Sequence, residues 1–345
     1  MGDGIDSHCH VFDTARFPYS PDAAYQPPPH EAGTAGDLAA VLDAHALSHA
    51  LLVNPTSGYR YDNRCMIAAI GGSNGRFKGI GRVPPDADQR TLDELDNGGV
   101  IGIRLDLIAD GADVVRHPAM PRLFAWIRER RWQLHVQCER DQLNEAVDTL
   151  RAANVPLVID HCGRPDPANG ITQPGFKALL ELGRDGHFVK LSGPFRFSRD
   201  DPPYADAEPF VAALVDAFTA KRCVWGSDWP YLRLPRRMDY GPALANLNRW
   251  FPNERVRLAH ADECTPAGSQ PCSYKYEQRI VAKRAAILAH RYTQRADLVT
   301  ARRVKQARQN REHGSNEKHP KASLRSVGPR VAASTANDFI SVSLC

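Results

Sequence analysis

The sequence lacks the features that mark membrane-spanning, secreted and metal-cluster proteins. No apolar run approaches the roughly 20 residues that a membrane-spanning helix needs, and no basic segment with a following apolar stretch opens the chain. The eight cysteines are scattered without the paired spacing of metal-binding motifs or of a disulfide framework. Such cysteines are usually buried free thiols in a reducing compartment. We therefore predict a cytoplasmic protein with no membrane partner.

An excess of basic charge is also missing from most of the chain. Residues 1–258 have a balance of −4, whereas residues 259–345 hold 15 Lys and Arg against 7 Asp and Glu. Basic charge can bind nucleic acid through its phosphates. However, no folded nucleic-acid-binding motif and no interleaved aromatic residues accompany this basic stretch, so we do not expect a nucleic-acid partner.

Short apolar runs rich in β-forming residues alternate with amphipathic stretches through most of the chain. Near-continuous apolar strands alternating with helices are typical of a parallel sheet covered on its outer face. Eight such units in about 250 residues favour a closed (β/α)₈ TIM barrel, an α/β fold, over an open sheet. The predicted strands are Gly4–Phe12, Ala50–Asn54, Phe77–Val83, Val100–Leu105, Gln133–Gln137, Leu157–His161, Phe188–Ser192 and Cys223–Ser227. Predicted helices between them include Met120–Arg131, Arg140–Ala153 and Phe210–Ala220.

The alternating pattern ends shortly after Pro252. We predict a barrel domain over residues 1–258 and a divergent or frame-altered basic extension over residues 259–345. Gln278–Tyr292 has the composition of one helix. Beyond about Val299 the chain shows no apolar periodicity, which is typical of disorder.

Polar residues of the kinds that serve catalysis recur at the ends of the predicted strands. His8 and His10 lie two apart on the first strand, so that a regular strand would direct both side chains to the same face. His135, His161 and Asp228 lie near the ends of the fifth, sixth and eighth strands. A single such histidine is more often structural. Five of these groups in one barrel mouth are costly to bury unless they share a ligand, a metal or a water.

Five segments of this sequence resemble the amidohydrolase superfamily. Within it, they are most similar to the branch of 2-pyrone-4,6-dicarboxylate lactonase and related sugar-lactone hydrolases. The resemblance covers roughly residues 4–250 and rests on Asp6–Phe12, Phe17–Pro21, Gly102–Arg104, Ile159–Pro165 and Trp225–Pro230. It implies hydrolysis of a lactone, a cyclic ester, of a carboxylated small molecule. In that branch Asp228 would be the general base toward water, and His8, His10 and His161 would polarise the scissile carbonyl or hold a metal.

The resemblance also implies a set of substrate-binding residues near the barrel mouth. Arginines suit this role because a guanidinium group binds a carboxylate with two parallel hydrogen bonds and keeps its charge in a partly dry site. The predicted set is Arg104, Arg164, Arg196, Tyr25, Thr56, Gln137 and His135.

Two departures from the lactonase pattern bear on the substrate. Asp110 stands near the place of a second fourth-strand arginine, and Gln137 stands near the place of a tyrosine. Both changes make a less acidic lactone, such as a sugar-acid lactone, as good a candidate as the pyrone dicarboxylate.

The cofactor and the reaction class stay open at this level. Either no cofactor is required, or one divalent metal such as Zn²⁺ is held by His8, His10, His161 and Asp228. A two-metal site is disfavoured because Arg104, and no bridging lysine, lies at the end of the fourth strand. The alternatives are a metal-dependent decarboxylase or lyase of the same superfamily, and a non-catalytic binding barrel. A homo-oligomer is compatible with the sequence.

Overall fold

Eight parallel strands, each hydrogen-bonded to the next along the chain, form the barrel of this computed structural model, which describes residues 4–251. The strands are β1 Gly4–Cys9, β2 Leu47–Val53, β3 Phe77–Gly81, β4 Val100–Asp106, β5 Gln133–Gln137, β6 Leu157–Ile159, β7 Phe188–Ser192 and β8 Cys223–Gly226. The barrel closes between its first and last strands. There Cys9 and Trp229 form a parallel β-bridge, and the backbone amide of Asp228 donates to the His8 carbonyl at 2.8 Å. The predicted (β/α)₈ barrel is confirmed.

Helices cover the outer face of the barrel. Within residues 4–251 the α-helices are α1 Ala35–Ala44, α2 Thr56–Tyr59, α3 Arg64–Gly71, α4 Gln89–Asn97, α5 Leu107–Asp110, α6 Met120–Glu129, α7 Gln142–Ala152, α8 Pro174–Arg184, α9 Glu208–Phe218 and α10 Tyr240–Trp250. Short 3₁₀ turns lie at Ala112–Arg116, His161–Gly163, Pro167–Thr172, Pro194–Arg196, Ala205–Ala207 and Ala220–Arg222. None of the described helices is long and apolar enough to cross a membrane.

The apolar residues of the helices pack against the outer face of the barrel, as their spacing predicts. In α6, Met120, Leu123, Phe124 and Ile127 are all buried, as their helical spacing predicts. They belong to the large apolar cluster that also includes strand residues such as Leu134. This layer leaves the barrel interior free to carry polar side chains.

Two strand boundaries differ from the prediction in ways that affect the site. β1 ends at Cys9, with an irregular register against β2 between Asp6 and Cys9. β6 ends at Ile159, and His161 has a φ of +50°. The alternation of a strand therefore does not extend to His161. The predicted domain boundary at residue 258, the helix at 278–292 and the basic extension lie outside the described residues.

Candidate active site

The loops after the strands enclose a cavity of about 650 Å³ at the carboxyl end of the barrel. In barrels of this type, that end carries the active site. The predicted site residues that line it are His10, Tyr25, Thr56, Arg104, Gln137, His161, Arg164, Arg196 and Asp228. His8 lies beside them, with its ring centroid 4.9 Å from that of His10 and 4.5 Å from that of His161. His135 does not line this cavity.

Asp228 lies at the centre of the site. Its Oδ1 atom is 3.2 Å from Nε2 of His10 and 3.8 Å from Nε2 of both His8 and His161. Its Oδ2 atom accepts a hydrogen bond from Nε of Arg196 at 2.7 Å. The backbone of Asp228 has a φ of +61°, a left-handed conformation that is uncommon for residues other than glycine. Such conformations cluster at functional sites.

The environment keeps Asp228 ionised. Burial alone would raise the pKa of this carboxyl, but the charge of Arg196 and the hydrogen bond with His10 outweigh burial and hold the pKa well below its usual range. Asp228 is therefore a carboxylate at neutral pH. In this state it can accept a proton from water.

The three histidines around Asp228 have different second partners. Nδ1 of His10 is 2.7 Å from the Val53 carbonyl oxygen, which can only accept, so Nδ1 of His10 carries a proton. Nδ1 of His161 lies 2.9 Å from the Ser192 hydroxyl. Burial, together with the nearby arginines, lowers the pKa of His161 to about 4, so His161 is neutral at neutral pH. Each ring is thus held by its far nitrogen while Nε2 faces Asp228.

A buried cluster of charges lies behind the histidines. Asp160 accepts from Nε of Arg104 at 2.9 Å and lies 3.1 Å from Nζ of Lys190, all three groups being nearly or fully buried. Nδ1 of His8 is 3.4 Å from Asp160 and 3.1 Å from Nζ of Lys190. Burial would raise the pKa of Asp160, but the charges of Lys190 and Arg104 hold it well below its usual range. Asp160 is therefore the counter-ion of a cationic cluster.

Arginines form one wall of the cavity. Arg164, in the left-handed conformation with a φ of +43°, pairs with Glu139 at 3.1 Å. Its Nε atom is buried and has no hydrogen-bond partner among the described residues, and burial lowers the pKa of the guanidinium. Arg196 also donates to the Leu232 carbonyl at 2.6 Å. An orphaned, buried donor on a cavity wall indicates a site for an anionic ligand group.

The cavity lining also carries hydroxyl and carboxyl groups. Thr56 donates to Asp106, whose other oxygen accepts from the amides of Ile108 and Ala109 at the start of α5. Tyr25 donates to Glu31 at 2.5 Å. Sequence reasoning missed Asp106, although its position at the last residue of β4 is the signal that could have identified it.

His135 lies deeper in the barrel than the sequence predicts. Its Nε2 atom is 3.0 Å from the Gln133 side-chain oxygen, and its Nδ1 atom is 4.0 Å from Asp160. It lines a water-sized space of about 10 Å³ in the barrel interior, together with Ser7 and Lys190. His135 therefore approaches the charged cluster and not the cavity.

Within residues 4–251, two groups of side chains offer ligand atoms that are close enough for one metal ion. In each group the ligand atoms lie within 4.8 Å of one another, and the groups are His8, His10 and Asp228, and His8, Asp160 and His161. Imidazole and carboxylate groups of this kind bind Zn²⁺ in many proteins.

Comparison with known proteins agrees with this architecture. The amidohydrolase family model matches residues 5–263. The chain is 32% identical over 260 residues to 4-sulfomuconolactone hydrolase of Hydrogenophaga intermedia, covering 73% of this chain and 84% of the relative. It is 30% identical over 245 residues to 2-pyrone-4,6-dicarboxylate hydrolase of Comamonas testosteroni, covering 68% and 79%.

A solved structure extends the comparison to the fold. A probable 2-pyrone-4,6-dicarboxylic acid hydrolase of Acinetobacter baumannii, crystallised with citric acid bound, superposes with a TM-score of 0.66 at 27% identity. The match covers 74% of this chain and 94% of that one. The resemblance noted in the sequence motifs is confirmed: the chain belongs to the amidohydrolase family.

Proposed function

We propose that this protein hydrolyses the lactone ring of a small molecule that bears an acidic group. The observation that carries the proposal is the ionised Asp228 carboxylate, buried in the cavity with three imidazoles within 3.8 Å and with Arg196 on its second oxygen. The curated relatives named above act on lactones, which supports the same chemistry for this chain.

The reaction follows from the position of Asp228. The carboxylate accepts a proton from water as the water oxygen bonds to the lactone carbonyl carbon, and His8 and His161 face the oxygen that becomes negative. The intermediate then collapses, the ring C–O bond breaks, and the leaving oxygen takes up the proton, giving a hydroxy acid. A positioned base contributes about 10²–10⁴-fold to such a rate. Each donor to the oxyanion contributes about 10²–10³-fold.

The cavity walls support an acidic substrate with few anionic groups. Arg164 offers its unpaired Nε on one wall, where a carboxylate or sulfonate would bind. Thr56 and Asp106, which also line the cavity, suit hydroxyl groups, and the Asp106 carboxylate would repel a second anion. Asp110, which the resemblance puts near the place of a lactonase arginine, pairs with Arg82 at 2.5 Å and does not line the cavity. We propose a sugar-acid lactone as the substrate class.

We further propose that this hydrolysis requires no metal. Arg196 already compensates Asp228, and Lys190 and Arg104 compensate Asp160, so that the described cluster carries more positive than negative charge. A divalent cation would add to that excess in a poorly solvated site. The imidazole of His8 also does not fit a metal ligand, because Lys190 lies 3.1 Å from its Nδ1 atom. Lactones are activated esters, which need less electrophilic help than amides.

A panel of carboxylated and neutral lactones separates this proposal from its alternatives. Ring opening is measured by the proton that the product acid releases. We expect this activity on carboxylated lactones to survive exhaustive chelation. Release of CO₂ from an aromatic acid, abolished by chelation, would favour a metal-dependent decarboxylase or lyase. Binding without turnover of any lactone would favour a non-catalytic barrel.

The cytoplasmic location proposed from the sequence is supported by the five described cysteines, which are all buried and free. Oligomerisation stays a prediction.

A further inference from the structure

Lys190 is a buried ammonium group that the hydrolytic steps do not use. It lies on β7 with 0% exposure and does not line the active-site cavity. Its Nζ atom lies 3.1 Å from Nδ1 of His8 and 3.1 Å from Oδ1 of Asp160. It therefore touches the far side of a histidine whose near side faces the reacting groups.

We infer that Lys190 is a positioning residue that fixes the single proton of His8 on Nε2. His8 is then a hydrogen-bond donor toward the cavity and has no lone pair there to offer a divalent metal. Its role as a donor to the lactone carbonyl rests on the proposed function, whereas the exclusion of metal does not.

The hydrogen-bonding capacity of the two groups carries the inference. An ammonium group has three donors and no acceptor, so at 3.1 Å the Nδ1 atom of His8 has to accept. A neutral imidazole that accepts at Nδ1 carries its proton on Nε2. Asp160 lies closer to Lys190, at 3.1 Å, than to Nδ1 of His8, at 3.4 Å, and so balances the ammonium charge.

The surroundings of Nε2 of His8 are consistent with a proton on that atom. Its Nε2 atom is buried and has no hydrogen-bond partner among the described residues. The atom lies 3.8 Å from Oδ1 of Asp228, beyond hydrogen-bond distance. A donor left unpaired in a buried site is typical of a group that a ligand completes.

His10, the other histidine of the motif, provides the contrast within the same chain. Its Nδ1 atom donates to a backbone carbonyl at 2.7 Å, which is the arrangement that metal-binding histidines usually have. His8 has the lysine in place of such an acceptor. The two histidines of one motif are thus held differently at Nδ1, His10 by an acceptor and His8 by a donor.

The test measures zinc binding and the His8 tautomer without any substrate. The variants are Lys190→Met, Lys190→Arg, and Lys177→Met as a matched loss of one exposed lysine on α8. In Lys190→Met, His8 can donate from Nδ1 to Asp160, which frees the Nε2 lone pair. We expect Zn²⁺ to bind this variant about 10–100-fold more tightly than the wild type in equilibrium dialysis, the range seen when a metal ligand's outer partner changes. Lys177→Met and Lys190→Arg should bind like the wild type.

Long-range ¹⁵N–¹H NMR of the imidazole rings reports the tautomer directly. The wild type, with His8 assigned by comparison with His8→Asn, should carry the His8 proton on Nε2. A proton on Nδ1 in the wild type would overturn the inference, as would equal zinc affinity in folded Lys190→Met and wild type. If Lys190→Met does not fold, the wild-type tautomer decides alone. Failure of lactone hydrolysis together with the expected tautomer would refute only the proposed function.

Discussion

Replacement of Asp160 by asparagine is expected to destabilise the barrel more than any single change on its surface. Asp160 is fully buried and is the counter-ion of two buried cations, Arg104 at 2.9 Å and Lys190 at 3.1 Å. Asparagine keeps the size and shape of the side chain but removes the charge. Two cations would then remain in the barrel with reduced compensation.

The magnitude follows from the burial of the partners. Removing one partner of a buried ion pair typically costs about 3–5 kcal/mol, because the remaining charge is left uncompensated. Since Asp160 serves two cations, we expect the upper part of that range. Against a typical total of about 5–15 kcal/mol, this is a large share of the free energy of unfolding. The double variant Asp160→Asn/Lys190→Met should recover part of the loss, with a coupling of about 1–3 kcal/mol between the two sites.

Urea denaturation of the four proteins in this cycle measures the prediction. The pKa of Asp160 is depressed in the folded state, so its contribution is fully present above its unfolded pKa and is lost as the pH falls through the folded value. The gap between wild type and Asp160→Asn should therefore be constant from neutral pH down to about pH 5 and shrink only in stronger acid. A loss below about 1 kcal/mol at neutral pH, or strict additivity in the cycle, would refute the reasoning.

Three further predictions address the cavity and the hydrogen bond between Tyr240 and Asp6. The kcat/KM should not fall as the pH is lowered from about 8 to about 5. Asp228 stays ionised over this range, and His161, with its pKa lowered to about 4, stays neutral. A fall in kcat/KM near the ordinary histidine pKa would contradict this. Arg164→Gln should raise KM for carboxylated lactones by about tenfold or more, from the loss of a charged hydrogen bond, and leave neutral lactones unaffected; equal effects on both would argue against a carboxylate site. Tyr240→Phe should lower the free energy of unfolding by about 1–2 kcal/mol, since Tyr240 donates at 2.8 Å to buried Asp6; an unchanged urea midpoint would show that this hydrogen bond does not stabilise the fold.

The strand order and the location of the site could be predicted because they depend on local patterns. Alternating apolar strands and amphipathic helices fix a (β/α)₈ barrel, and the barrel fixes which end carries the chemistry. His10, His161 and Asp228 come together because each lies within two residues of the end of its own strand. No knowledge of distant contacts was needed for these residues.

Contacts across the barrel interior could not be predicted in the same way. Periodicity says which face of a strand a residue occupies, but it does not say which residue it meets on a distant strand. The contact between Lys190 on β7 and His8 on β1 is of this kind. Arg104 was expected to bind substrate, and its Nε atom instead donates to Asp160, although the residue lines the cavity.

Asp160 and His161 show how a single backbone conformation changes the outcome. A regular strand through both residues would direct their side chains to opposite faces of the sheet. Because β6 ends at Ile159 and His161 adopts a φ of +50°, both residues reach the interior, where each faces a different member of the site. Nothing in the local sequence pattern marks that change.

The rate of lactone hydrolysis in Asp228→Asn is the most direct test of the central claim. The variant keeps the size of the side chain and removes the carboxylate that accepts the proton from water. We predict that kcat for a carboxylated lactone falls about 10²–10⁴-fold, while the lactone still binds, as measured by calorimetry. An unchanged kcat in this variant would contradict the assignment of Asp228 as the general base.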